Sequence, residues 1–270
     1  MTENLFFDSS GRPVDPNQLP FDSLCLARGV FETILFVGGK PAFQREHEDR
    51  LRASCRALSI ATADEVKTIM HAAAASLAAS CLPRLRVRVS IFAADTENRA
   101  AGVVTASPAP AAPASVRLGI SRTPRFAGDF LAGHKTAAYL ANLAVRQGAL
   151  AAGNYDDLII DTEGNVAETS TANVFFSLAG HLVTPSLGCI LPGIVRNWVL
   201  LKWRECGIPA DERRIRFDEL PQCEAAFITN SIIGLVAVSR IGGSEMTAAA
   251  QFPWFQALDS SYNAVLSALA

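Results

Sequence analysis

Three groups in this chain have types and spacing that could do chemistry. Lys135 stands in Gly133-His134-Lys135-Thr136, just ahead of a helix-like stretch. Glu168 follows 33 residues later in Gly164-Asn165-Val166-Ala167-Glu168-Thr169-Ser170, between a turn and small hydroxyl residues. Beyond it, Leu191-Pro192-Gly193 leads into Ile194-Val195-Arg196, a loop that opens a helix. An amine, a carboxylate and a helix N-terminus are the three anchors that a pyridoxal phosphate ring needs. The amine condenses with the aldehyde, the carboxylate keeps the ring nitrogen protonated so that the ring draws electrons, and the helix start holds the phosphate. A lone lysine is ordinarily a solvated one. At a helix start, however, it meets the positive end of the dipole, a misfit that points to another reason for its presence.

Other residues join this set. Arg50, in Glu46-His47-Glu48-Asp49-Arg50-Leu51, is either a surface arginine paired with Glu46 at i−4 or a fork for phosphate. Ile194 and Val195 would donate backbone N–H groups to the phosphate. Thr229, Asn230 and Ser231 end a strand and supply either further donors or simple turn chemistry.

The elements that must position these groups read as follows. Val30 to Val37 is a strand running into a Gly38-Gly39 hairpin turn. Residues 45–58 put His47, Leu51, Cys55 and Leu58 on one helical face. Thr62-Ala63-Asp64-Glu65 is a capping box, opening a helix with Val66, Ile69, Met70, Ala73 and Leu77 inward. Arg86 to Ile91 alternates strictly, a strand with one wet or functional face. The proline-rich run Thr105 to Pro113 breaks helix and central strand alike and marks the approach to a domain boundary. Val116, Leu118 and Ile120 begin a new strand. Thr136 to Leu150 reads as helix, Asp157 to Asp161 as a buried strand, Ala172–Leu178 with His181–Thr184 as a hairpin, and Ala225 to Asn230 as a strand. Ile194 to Cys206 is a helix stopped by Gly207 and Pro209. Strands and helices without regular βαβ alternation predict an α+β chain in two domains: a small α/β domain over 1–115, a linker at 116–121 and a larger domain over 122–270.

These segments resemble the class IV aminotransferase family, the fold type IV pyridoxal phosphate enzymes, over roughly residues 25 to 240. His134-Lys135-Thr136 with Tyr139-Leu140-Ala141-Asn142-Leu143 is similar to the family's cofactor-lysine segment. Val166 to Phe175 is similar to the stretch around its pyridine-nitrogen glutamate. Glu46 to Leu51 resembles its His-x-x-Arg-Leu helix, whose arginine reaches the phosphate. The resemblance implies a larger domain with a barrel-like sheet, pyridoxal 5'-phosphate in a cleft between two domains, a small amino substrate and a homodimer. Gly29-Val30-Phe31-Glu32-Thr33 matches the strand lining the cofactor face. Thr33 falls where the lyase branch carries threonine, where branched-chain enzymes have glycine and D-amino acid aminotransferases valine. Thr229-Asn230-Ser231 also resembles the lyase branch.

The implied activity is therefore that of a 4-amino-4-deoxychorismate lyase, releasing pyruvate and 4-aminobenzoate for folate synthesis, with Lys135 and Thr33 catalytic. The alternative is transamination of D- or branched-chain amino acids. A third is a catalytically impaired pyridoxal phosphate-binding relative. Two features depart from the family. Ala27-Arg28 replaces the usual Gly-Asp, and the arginine-glycine loop after Val87–Phe92 is missing, leaving Ala93 to Arg99. Arg28, Arg88 and Arg99 are the arginines that could take over its carboxylate recognition.

Bulk properties exclude other classes. With 24 Lys and Arg against 26 Asp and Glu, the net charge of −2 offers no electrostatic case for nucleic acid or an anionic membrane. Half the residues are hydrophobic, enough for a sizeable core. No apolar run reaches membrane-span length, and Met1-Thr2-Glu3-Asn4 has no basic leader, so a cytoplasmic protein is expected. Six scattered cysteines fit free thiols, and four histidines without short spacing predict no metal site.

Overall fold

The computed structural model describes residues 3–93, 100–205 and 210–270. The loop 94–99 and the expected helix stop at Cys206, Gly207 and Pro209 lie outside the described residues. The chain divides into two compact units. One comprises Met1–Pro110, His134–Ala138 and Ala264–Ala270; the other comprises Ala111–Gly133 and Tyr139–Asn263.

In the first unit, β1 (Glu3–Phe7) and α1 (Phe21–Cys25) precede β2 (Gly29–Val37) and β3 (Lys40–Pro41). Then come α2 (Gln44–Ala57), α3 (Ala63–Leu77), β4 (Arg84–Phe92) and β5 (Ala101–Pro108). The strands form an antiparallel sheet in the order β1-β5-β4-β2-β3. Gly38 (φ 55°) and Gly39 (φ 77°) make the β2–β3 turn, where both central residues need positive φ. The capping box forms as expected: the Glu65 N–H donates to Thr62 Oγ1 and the Thr62 N–H to Glu65 Oε2. Val66, Ile69, Met70, Ala73 and Leu77 of α3, with Leu51 and Cys55 of α2, bury against Val30, Ile34, Phe36, Val87 and Val89. Alternation along β2 and β4 therefore turns Phe31, Thr33, Arg86 and Arg88 to the opposite face.

Two expectations change here. Thr105 to Pro108 is not a breaker: β5 runs through it, and Pro108 is the last strand residue, where a missing N–H is tolerated. Nor does Lys135 open a helix. The helix starts at Leu140, and residues 134–138 are irregular. Their backbone pairs instead with β2, through Phe31 N–H to Lys135 O and Ala137 N–H to Gly29 O, each 2.8 Å. The dipole misfit inferred for Lys135 thus has no helix to act through.

The second unit starts with β6 (Ser115–Ile120), α4 (Leu140–Ala151), β7 (Asp156–Ile160), β8 (Val166–Thr169), β9 (Asn173–Leu178) and β10 (His181–Pro185). α5 (Ile194–Glu205), β11 (Ala210–Arg213), β12 (Ala225–Asn230), β13 (Gly234–Ile241) and β14 (Ser244–Glu245) follow, and then α6 (Pro253–Ser267), whose end belongs to the first unit. The mixed sheet has the order β11-β10-β9-β12-β13-β6-β7-β8, with β14 on β13. Phe175 and Phe227 stack at 4.8 Å across β9 and β12, and Trp254 of α6 meets Phe227 and Trp203 edge-on or tilted. This central packing holds β9, β12 and α5 together. No helix among the described residues is long and apolar enough to cross a membrane.

Candidate active site

Each unit supplies its own constellation. In the first, the Lys135 Nζ lies 4.5 Å from the centre of the Phe31 ring. The Arg88 guanidinium lies 3.5 Å from the same centre, and its Nε donates to Ser90 Oγ at 3.1 Å. Thr33 is half-buried and directly opposite Arg88 in the β2–β4 pairing. Strand alternation thus brings Thr33, Phe31, Arg88 and the Lys135 amine to one face, away from Val30 and Ile34 of the core. Behind Lys135, His134 Nδ1 meets Ser54 Oγ of α2 at 3.0 Å.

The other face of β2 carries Glu32, which sequence reading missed. A carboxylate inside an apolar strand must find partners, and α2 provides them. Arg50 grips it side-on, Nε to Oε1 at 2.7 Å and Nη2 to Oε2 at 2.6 Å, while His47 Nδ1 meets Oε2 at 2.7 Å. The Arg50 side chain is only 11% exposed, so it is not a surface arginine, and its pairing is with Glu32 of β2. Two donors of the Arg50 fork, Nε and Nη2, thus go to Glu32.

Burial pushes the Glu32 pKa up, but the charge of Arg50 and then the His47 contact outweigh it, and the pKa falls to about 2. Burial is also the largest influence on His47 and holds it below its ordinary 6.5, against the pull of Glu32. Glu32 is depressed, so its contribution is complete above pH 4.5 and is lost as pH falls towards 2. His47 resists protonation when folded, so acid below 6.5 favours the unfolded chain as well. A drop from 4.5 to about 2 corresponds to roughly 3 kcal/mol. Calorimetry from pH 7 to 3 is expected to show a steep fall in Tm. Glu32→Gln should start lower, with Arg50 deprived of its partner, and fall less. An acid limb as steep in the variant as in the wild type would remove this account.

In the second unit, Glu168 is 6% exposed at the end of β8. Arg125 Nη1 donates to its Oε1 at 2.5 Å, Asn173 Nδ2 to Oε2 at 2.9 Å, and the Leu191 N–H to both oxygens at 3.2 Å. These contacts all come from donors, which suits an ionised, acceptor-only carboxylate. Asn173 Nδ2 also donates to Leu191 O at 2.9 Å, so one amide ties the glutamate to the loop that opens α5. Gly193 permits this: a Cβ there would drive into Asn173 Oδ1. Ile194 and Val195 are buried in the first turn of α5, where backbone N–H groups lack intrahelical partners. Thr229, paired with Asn173 across β12 and β9, is buried with its Oγ1 unbonded. Asn230 caps the following turn, accepting from Ile232 and Ile233 N–H, and donates to Thr171 O; Ser231 begins that turn. Tyr139 OH and Asn142 Nδ2 both donate to Ser170 O, and burial pushes the Tyr139 pKa up to about 12, keeping it a donor.

Glu168, Ile194 and Val195 are therefore joined through Asn173 and Leu191, as their sequence order suggested. Arg125 was missed. It lies 43 residues before Glu168 in an irregular segment, with no periodicity to flag it.

The residues fit a phosphorylated pyridine. There is an amine against an aromatic ring, a buried anion in a cage of donors, and a helix start beside an unbonded buried hydroxyl. Known proteins agree at the level of family. The profile described as Amino-transferase class IV matches residues 29–241. A branched-chain-amino-acid aminotransferase of Pseudomonas aeruginosa is 30% identical over 46% of this chain and 41% of that protein. A probable one of Rickettsia conorii is 26% identical over 81% of this chain and 79% of that protein. Among solved structures, the 4-amino-4-deoxychorismate lyase of Pseudomonas aeruginosa superposes with a TM-score of 0.85 at 24% identity, covering 97% of this chain and 98% of that one. The branched-chain aminotransferase of Escherichia coli gives 0.85 at 20% identity, covering 97% and 94%. A profile match across most of the chain places it in the class IV aminotransferase family, whose enzymes use pyridoxal 5'-phosphate.

Proposed function

We propose that this chain is a 4-amino-4-deoxychorismate lyase. The observation that carries the reading is Thr33, a hydroxyl on the face shared by Phe31, Arg88 and the Lys135 amine. Pyridoxal phosphate, when bound, supplies the electron sink for bond breaking beside the substrate's amine. Lys135 holds it and moves the proton, taking it from the α-carbon and returning it to the departing enolpyruvyl group. Glu168 keeps the ring nitrogen protonated, and Arg125, Asn173 and Leu191 hold Glu168 in place. Arg50, the first-turn N–H groups of Ile194 and Val195, and Ser231 with the backbone at Asn230 take the phosphate. Thr33 orients the leaving group or relays its proton.

The second reading is transamination of a branched-chain or D-amino acid; the similar proteins named branched-chain-amino-acid aminotransferases favour its branched-chain form. The test is release of pyruvate from aminodeoxychorismate, with leucine and D-alanine as controls. Thr33→Val is expected to cut pyruvate release by about 10²–10⁴-fold, the usual contribution of a positioned proton-transfer group. Half-transamination of simple amino acids should be spared. Wild-type protein that releases no pyruvate yet transaminates leucine or D-alanine readily would give the second reading its place. Leu140, Leu143 and Leu150 stand exposed along one stripe of α4, which supports a homodimer, to be read by light scattering.

A further inference from the structure

The carboxylate of Asp156, the first residue of β7, is wholly buried and has no part in the proposed chemistry. Ser170 Oγ donates to its Oδ2 at 2.8 Å, and Thr171 Oγ1 donates to the same oxygen at 3.1 Å. The Asp157 N–H donates to Oδ1 at 2.9 Å, and the Ser170 N–H reaches it at 3.4 Å. The cation facing it is Arg146 of α4, whose Nη1 is 3.4 Å from Oδ2 and whose guanidinium lies 4.1 Å from the centre of the Tyr155 ring. Ser170 and Thr171 belong to the connection 170–172 between β8 and β9. Their hydroxyls go to Asp156, while their carbonyls serve other elements. Ser170 O accepts from Tyr139 and Asn142 around the start of α4, and Thr171 O accepts from Asn230 Nδ2 at 3.3 Å.

A buried carboxylate is costly, and an apolar side chain of similar volume often fills such a position at no loss of stability. What the charge supplies is direction. Charge-assisted hydrogen bonds are shorter than neutral ones and about twice as strong, so two hydroxyls locked to one oxygen fix the backbone that carries them. That backbone is the link from Glu168 to Asn173, which meet again at Oε2 and Nδ2 across 2.9 Å. Through Thr171 O it also reaches Asn230, whose Oδ1 accepts from the Ile232 and Ile233 N–H groups and so shapes the turn that Ser231 begins. Asp156 thus stands behind the Glu168 segment and the Asn230 turn alike.

We propose that Asp156 is a positioning residue for the cofactor: by locking the connection 170–172 it holds Glu168 to the ring nitrogen and the Asn230-Ser231 turn to the phosphate. This rests on the reading of Glu168, Asn230 and Ser231 as cofactor residues, and adds to it a buried acid that acts only through its neighbours. Four variants take the linkage apart. Asp156→Asn keeps an oxygen for both hydroxyls, and Asp156→Ala removes it. Ser170→Ala and Thr171→Val remove the hydroxyls and leave the acid.

The cofactor-free protein is titrated with pyridoxal 5'-phosphate, and binding is followed by absorbance. Asp156→Ala is expected to weaken binding by about tenfold or more, the lower end of what orienting contacts contribute at metal sites. Ser170→Ala and Thr171→Val should each weaken it in the same direction. Asp156→Asn should stay within about threefold of wild type, because an acceptor remains. Ile241→Val, which trims the buried core on β13 of the same sheet, is the stability control: its Tm should fall while affinity stays within about twofold. The proposal is overturned if Asp156→Ala binds within about threefold of wild type, if Asp156→Asn loses as much as Asp156→Ala, or if the control does. Should circular dichroism show that Asp156→Ala does not fold, the two hydroxyl variants decide in its place, and wild-type affinity in both overturns the proposal. Hydrogen exchange on the cofactor-free proteins reads the linkage independently. The Ile232 and Ile233 amides should exchange faster in Asp156→Ala than in Ile241→Val, and equal rates overturn the proposal. Wild-type protein that takes up no cofactor sinks the pyridoxal phosphate reading, while exchange still decides whether Asp156 holds the Asn230 turn.

Discussion

Borohydride reduction of the loaded enzyme is expected to fix the cofactor to the peptide containing Lys135 and to no other. The reason is positional. The Lys135 carbonyl is bonded to the Phe31 N–H, and its Nζ lies against the Phe31 ring, so the backbone is pinned along β2 and the amine is held on the Thr33 face. Lys135→Ala should lose the fixed label altogether. Turnover should fall by at least about 10²–10⁴-fold from the lost proton transfer alone. Cofactor should still be retained, weakly, through its phosphate contacts. Label on another lysine, or turnover within tenfold of wild type, would strip Lys135 of its role.

The second large effect is expected at Glu168, and two substitutions separate its charge from its shape. Glu168→Gln keeps an oxygen for Arg125 and Leu191 but removes the anion proposed to pair with the ring nitrogen. Losing a close buried charge partner costs about 3–5 kcal/mol, and each 1.36 kcal/mol is a factor of ten in rate. Turnover should fall by roughly 10²–10⁴-fold with cofactor still bound. Glu168→Ala should in addition lower Tm by several degrees, because Arg125, 12% exposed and 2.5 Å from the lost carboxylate, is left as an uncompensated charge. Steady-state kinetics and calorimetry on the pair read both effects. A glutamine variant with wild-type turnover would show that Glu168 serves only to neutralise Arg125.

The parts of the molecule that local pattern determines were legible. In α3 the capping box and the 3.6-residue spacing named the five inward residues correctly, because cap and stripe are written in adjacent residues. The Gly38-Gly39 and Ala179-Gly180 turns were legible for the same reason: their backbone needs positive φ. Glu168 and the start of α5 were singled out through flanking motifs, and the structure links them through Asn173 and Leu191. Lys135 was singled out as well, but its setting was misread. The run after Thr136 has helical composition, and nothing local says that residues 134–138 will bond to a strand about a hundred residues earlier. Arg125 and Glu32 were missed on similar grounds. Each becomes significant only when a distant partner closes on it. Glu32 did leave a trace, a lone acid among apolar strand residues, and His47 and Arg50, three residues apart on one helix face, were its complement.

The backbone bonds between β2 and residues 134–138 bear on how the chain is made. The first unit is not continuous along the polypeptide: its strand β2 is complete before residue 40, yet the segment that bears the amine is synthesised about a hundred residues later. Closing so long a loop is entropically slower than forming the neighbouring hairpin. A nascent chain can thus fold most of the small sheet, with Glu32 already gripped by Arg50, and still lack the Lys135 amine. The Lys135 segment joins β2 long after the strands of that sheet are made, and Ala264–Ala270 joins later still, so a chain that stops short of residue 134 cannot form this pairing on β2.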